Sequence, residues 1–122
     1  MAIASNAAKY PVRSPQRESV FFGFSFWGKN GANPDVAGIE DPAYLVDTIV
    51  RDGEGSYVVT LKVGFTGIEA WPLVKSTEVN YRVTCDATTA ATPAVIYLTC
   101  FDGGAVDDLD GIAISVLVGA QR

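Results

Sequence analysis

The chain contains no histidine, only two cysteines and a single methionine. Without histidine there is no Ser-His-Asp or Cys-His nucleophile system, no imidazole general base and no His-containing zinc site. Two cysteines alone cannot close a structural zinc site, and Cys85 and Cys100, fifteen positions apart, have neither metal-ligand nor redox spacing. Nor is there an uninterrupted apolar run long enough to span a bilayer, because Gly, Pro and charged residues recur throughout. What is present is a chain of 122 residues, 48% hydrophobic and 19% charged, too apolar for intrinsic disorder. That length suits one domain, which on folding removes roughly two-thirds of the unfolded chain's surface from water.

Charge is unevenly placed. Residues 1 to 30 carry Lys9, Arg13, Arg17 and Lys29 against the single acid Glu18, whereas the rest of the chain is strongly acidic and the total is −5. An acidic body repels phosphate, so neither nucleic acid nor membrane is an expected partner. A basic arm on such a body suits an acidic protein surface; the plainer reading is that these charges keep an exposed tail soluble. The opening Met-Ala-Ile-Ala-Ser-Asn-Ala-Ala has neither the basic nor the apolar region of a signal peptide, so folding in a cytoplasm is expected. There both cysteines default to buried thiols, with a disulfide as the alternative.

Residues 1 to 18 lack a sustained period and contain Pro11 and Pro15, which predicts an extended arm ahead of a domain over 19–122. From Ser19 to Trp27 a strand is predicted, with Val20, Phe22, Phe24 and Phe26 on one face. The Gly-, Asn- and Pro-rich stretch that follows reads as a loop to about residue 42. Further strands are predicted over 44–51, covered on both faces, and over 57–63, with Asp52-Gly-Glu-Gly-Ser56 as the hairpin turn between them. Residues 64 to 76 are expected to be less regular, since Gly67 and Pro72 exclude a long helix although one turn around 68–71 would fit, with Trp71 capping the core. A second hairpin joins 78–86 to 94–101, turning near residues 92 and 93, which sets Cys85 almost opposite Cys100. A last strand covers 112–118. Six strands and no helix predict an all-β fold, a small antiparallel β-sandwich or jelly-roll-like domain.

Three features invite a chemical reading. The loop 102–111 gathers Asp102, Asp107, Asp108 and Asp110 beside glycines, as a calcium site would, but the helix-loop-helix calcium spacing fails and a solvated acidic turn is the alternative. Glu54 and Glu69 flank one strand, yet nothing makes them converge as a glycosidase pair must. Finally, Phe21 and Trp27 point away from the face shared by Phe22, Phe24 and Phe26, and need a second cover. No catalytic residue and no cofactor is assigned.

The run Ile49-Val-Arg-Asp-Gly-Glu-Gly-Ser-Tyr-Val-Val-Thr-Leu61, the second polar hairpin, Asp107-Asp-Leu-Asp110 and the ending Val-Leu-Val-Gly-Ala-Gln-Arg122 resemble small virion proteins of tailed bacteriophages. The head cement, or decoration, proteins are the most similar of these, and the likeness covers residues 44 to 122. The resemblance implies a non-enzymatic β-sandwich, made in the host cytoplasm, that sits on the capsid exterior and bridges neighbouring major capsid subunits as a homodimer or homotrimer. Lys9, Tyr10, Arg13 and Arg17 of the arm, with Phe21 and Trp27, are then the expected partner contacts. A tail, neck or fibre component is the alternative, and a calcium-assisted carbohydrate-binding module using Trp27, Trp71 and nearby tyrosines is the rival from another class.

Overall fold

A computed structural model describes residues 19–122, and the arm contacts expected at Lys9, Tyr10, Arg13 and Arg17 lie outside the described residues. The chain is an all-β sandwich. Among the described residues its strands are β1 (Ser19–Trp27), β2 (Val46–Gly53), β3 (Ser56–Leu61), β4 (Gly67–Lys75), β5 (Tyr81–Thr89), β6 (Val95–Asp102), β7 (Ala105–Val106) and β8 (Ala113–Gln121). One antiparallel sheet has the order β1-β8-β4; the other runs β2-β3-β6-β5, with β7 paired to β6.

Alternation builds the core. Phe22, Phe24 and Phe26 of β1 and Ile114, Val116 and Val118 of β8 face Tyr57, Val59 and Leu61 of β3 and Ile96, Leu98 and Cys100 of β6, all buried. Between the sheets the Phe26 and Tyr57 rings meet edge to face, 5.3 Å apart. The sheets are tied along one side by the segment leaving β3: Leu61 N–H donates to Ala94 O, Phe65 N–H to Ala90 O and Thr66 N–H to Gln121 O.

The stretch expected to be less regular is β4, a nine-residue strand. Its alternation is complete, Ile68, Ala70 and Val74 packing on the core and Glu69, Trp71, Leu73 and Lys75 turned out. Pro72 is tolerated because β4 pairs only with β8 and so lies at a sheet edge. Trp71 therefore does not cap the core. Nor is β2 covered on both faces. A register shift between Val46 and Thr48 turns both Val46 and Ile49 inward and leaves Thr48 and Val50 exposed, as a bulge does by inserting one unpaired residue.

Strand ends also move: β5 starts at Tyr81 and β8 runs on to Gln121. In the second hairpin Cys85 pairs with Leu98 and Cys100 with Val83, so the cysteines are two positions out of register and both are free. Burial, joined by the charges of Asp108 and Asp107, pushes the Cys100 thiol up to about 12.

The β2–β3 turn depends on Gly55. Its φ is +72°, and a Cβ there would lie 2.9 Å from both Asp107 N and Cys100 O. Gly55→Ala is expected to cost on the order of 2 kcal/mol or more, from the left-handed backbone plus the clash, seen as a lowered urea midpoint at unchanged m-value.

Candidate functional site

Two regions concentrate the sequence-flagged residues. At one end of the sandwich the 102–111 loop folds against the 28–31 segment and the β2–β3 turn, and its centre is Asp108, only 3% exposed. Asp108 Oδ1 accepts from Arg51 Nε at 2.9 Å and from Gly55 N at 2.7 Å, and Oδ2 accepts from Gly31 N at 3.0 Å. Its main-chain oxygen accepts from the Tyr57 hydroxyl at 2.7 Å, and that hydroxyl in turn accepts from Lys29 N. Burial alone raises the Asp108 pKa, but the hydrogen bonds from Arg51, Gly55 and Gly31 outweigh it and hold the carboxyl below its usual range. Burial pushes Tyr57 up to about 12.

At Asp108 this corrects the picture of a solvated acidic turn, whereas Asp102 and Asp110 are exposed as that reading expects. Asp107 Oδ1 takes the Leu109 amide and Asp110 Oδ1 the Asn30 amide, while Asp102 ends β6 on the surface. The loop carboxylates face different donors rather than one another, and among the described residues no three Cys, Asp or Glu side chains are grouped to hold a metal ion. Glu54 sits in the β2–β3 turn and Glu69 on the outer face of β4, on different sheets, so they are not brought together.

The second region is the outer face of the β1-β8-β4 sheet. Register places Phe21, Gly119 and Glu69 in one row, Gly23, Leu117 and Trp71 in the next, and Ser25, Ser115 and Leu73 after that. Phe21 is 68% exposed, Trp71 48%, Leu117 52% and Leu73 55%. Gly119 makes the arrangement possible: a Cβ there would lie 3.1 Å from Phe21 Cε1 and 3.1 Å from Trp71 Cζ3, so the two rings converge over the bare backbone. Between them is a cleft of about 320 Å³, bounded also by Ser19, Glu69 and Gln121.

Trp27 shares this face but not this cleft. It is six residues from Phe21, roughly 20 Å along the strand, and its ring lies over Gly38 of a short 3₁₀ turn, Val36–Gly38, beside the Lys29–Asp35 ion pair. Of the described tyrosines, Tyr57 is buried, Tyr81 and Tyr97 belong to the other sheet, and Tyr44 is exposed in the loop before β2. Sequence reasoning found Phe21, flagged Trp71 without placing it beside Phe21, and missed Leu73, Leu117 and Gly119. The period-2 pattern in 69–75 was the available signal, obscured by Pro72. The Arg51–Asp108 pair, 57 residues apart, left no local signal. No family model, curated protein or solved structure matches the chain.

Because Asp108's folded pKa lies below its unfolded value, its stabilising contribution is complete above the usual carboxylate range and is lost as pH falls through the depressed value. Urea midpoints measured from pH 7 down to 2 are expected to show this loss in the wild type and a smaller acid dependence in Asp108→Asn. Asp108→Ala, which leaves the buried Gly55 amide without its acceptor, is expected to cost about 1–3 kcal/mol at neutral pH. In the alkaline direction Cys100 and Tyr57 lose their protons at lower pH in the unfolded chain than in the folded one, so stability is expected to fall from pH 9 towards pH 12.

Proposed function

We propose that this chain is a non-enzymatic virion structural protein, a cement or decoration protein that binds the outside of an assembled phage capsid and bridges neighbouring major capsid subunits. The observation that carries the reading is the exposed apolar face around Phe21, Trp71, Leu73 and Leu117 on a small sandwich. Aromatic side chains held over a rigid sheet are the kind of anchor that dominates protein interfaces, because little side-chain freedom is left to lose on docking. The groups with shifted pKa values, Asp108, Tyr57 and Cys100, are engaged in holding the fold together, which fits a protein whose work is binding.

Residues 1–18 lead directly into Ser19, at the Phe21 end of the exposed face, and carry Lys9, Tyr10, Arg13 and Arg17. In the proposed mechanism the apolar face seats on one capsid subunit while the arm's positive charges meet an acidic patch on its neighbour. Each copy then stabilises only the assembled lattice, and many copies together oppose rupture by packaged DNA.

Purified protein added to capsids that lack it is expected to bind saturably. Phe21→Ala and Trp71→Ala should each weaken binding by roughly thirtyfold, the scale of a hot-spot aromatic worth about 2 kcal/mol, with the fold intact by circular dichroism. Lys9→Glu, Arg13→Glu and Arg17→Glu together should slow association at low salt. Occupancy unchanged in all of these would remove the basis for the reading.

A further inference from the structure

We propose that two copies of this chain pair through the open edge of β1, joining their three-stranded sheets into one six-stranded antiparallel sheet. This inference concerns copies of the chain alone and does not rest on the capsid reading.

The edge is defined by one contact. Ser25 N–H donates to Glu40 O and Glu40 N–H donates to Ser25 O, each at 2.9 Å, so the Ser25 peptide groups point away from β8. In an extended strand every second residue points the same way. Ser19, Phe21 and Gly23 therefore also direct their N–H and C=O groups at the open edge, and no described residue pairs with them there.

The other edges of the sandwich carry protection that β1 lacks: that of β5 holds Arg82 and Asp86 and a register shift between Cys85 and Ala87. On β4 the edge holds Pro72 between Glu69 and Lys75, and the Thr88 hydroxyl donates to Ile68 O. On β2 it is bent by two register shifts, and the Asn33 side chain accepts from Arg51 N. Strand β1 pairs with β8 over nine residues without a shift and contains neither proline nor charge. Uncharged, regular edges of this kind template pairing with another chain.

A second copy fits this edge in one register. Antiparallel pairing about a two-fold axis at Phe21 sets Phe21 opposite Phe21 of the other copy, and Ser19 opposite Gly23 in both directions. All three open positions on each strand are then used, giving six main-chain hydrogen bonds. The ladder stops where Glu40 already occupies Ser25. The two Phe21 rings, on the same outer face in a hydrogen-bonded pair with Cα atoms about 5.5 Å apart, cover each other's exposed edges. The interface is isologous, as closed two-fold symmetry requires. Because it is short, it is reversible on dilution.

Sedimentation equilibrium of the full chain across a wide concentration range, with residue-resolved amide exchange by NMR at the two extremes, tests this. The expected result is a mass rising from 12.9 kDa to twice that value, with the Phe21 and Gly23 amides gaining protection only as the dimer forms. Phe21→Lys, which sets like charges directly opposite on an exposed position, should hold the chain monomeric while its thermal transition stays sharp. Three results would overturn the pairing: a monomer at every concentration, a dimer that leaves those amides unprotected, or protection independent of concentration. The last would mean that residues 1–18 of the same chain cover the edge.

Discussion

One buried carboxylate organises the end of this sandwich where three loops meet. Asp108 joins the 28–31 segment, β2 and the β2–β3 turn through its side chain, and Tyr57 of β3 through its main-chain oxygen. Such a group is stable inside a protein only if its lone pairs are satisfied, and here two main-chain amides and a guanidinium satisfy them. The consequence reaches the core. Tyr57 is held at both its hydroxyl and its ring, the latter against Phe26 of the opposite sheet, so the clamp helps set how β3 lies against β1. Gly55 is part of the same arrangement, because only a residue without a side chain lets the turn approach Asp107 and Cys100 closely enough for its amide to reach Asp108.

The polar connections gathered at that clamp leave the outer face of the three-stranded sheet with a different composition. Its central row is apolar, and its order comes from the sheet beneath and from the two rings meeting over Gly119. A surface fixed in this way loses little freedom when it is covered, which is the property a docking protein needs. The proposed pairing of β1 edges would extend this surface across two copies, placing two Phe21–Trp71 clefts on one continuous sheet. A bivalent body is well suited to bridging repeated subunits, since the second contact forms at high effective concentration.

The sequence made the sandwich legible because period-2 alternation is local. Phe22, Phe24 and Phe26, then Tyr57, Val59 and Leu61, then Ile96, Leu98 and Cys100 all read inward from spacing alone, and all are buried. Misreadings came where local rules compete. Pro72 argues against a strand until its place at an edge is known, and that place depends on β8, more than forty residues further on. The bulge near Asp47 shifts the phase of β2 within the strand, so a strict alternation misassigns Val46. The candidate face was half visible: Phe21 stood out as an aromatic facing the wrong way, while Trp71 and Leu117 join it only through sheet order. Asp108 looked like one acid among four because its partners are remote in sequence, and its burial became evident only in three dimensions.

The reading of this chain as a capsid cement protein is tested most directly by quantitative mass spectrometry of purified particles from the source, reporting copies of this chain relative to the most abundant shell protein. The account predicts a ratio near one or a simple fraction of it. A handful of copies per particle would move the protein to the tail or neck, and absence from every particle would contradict the account.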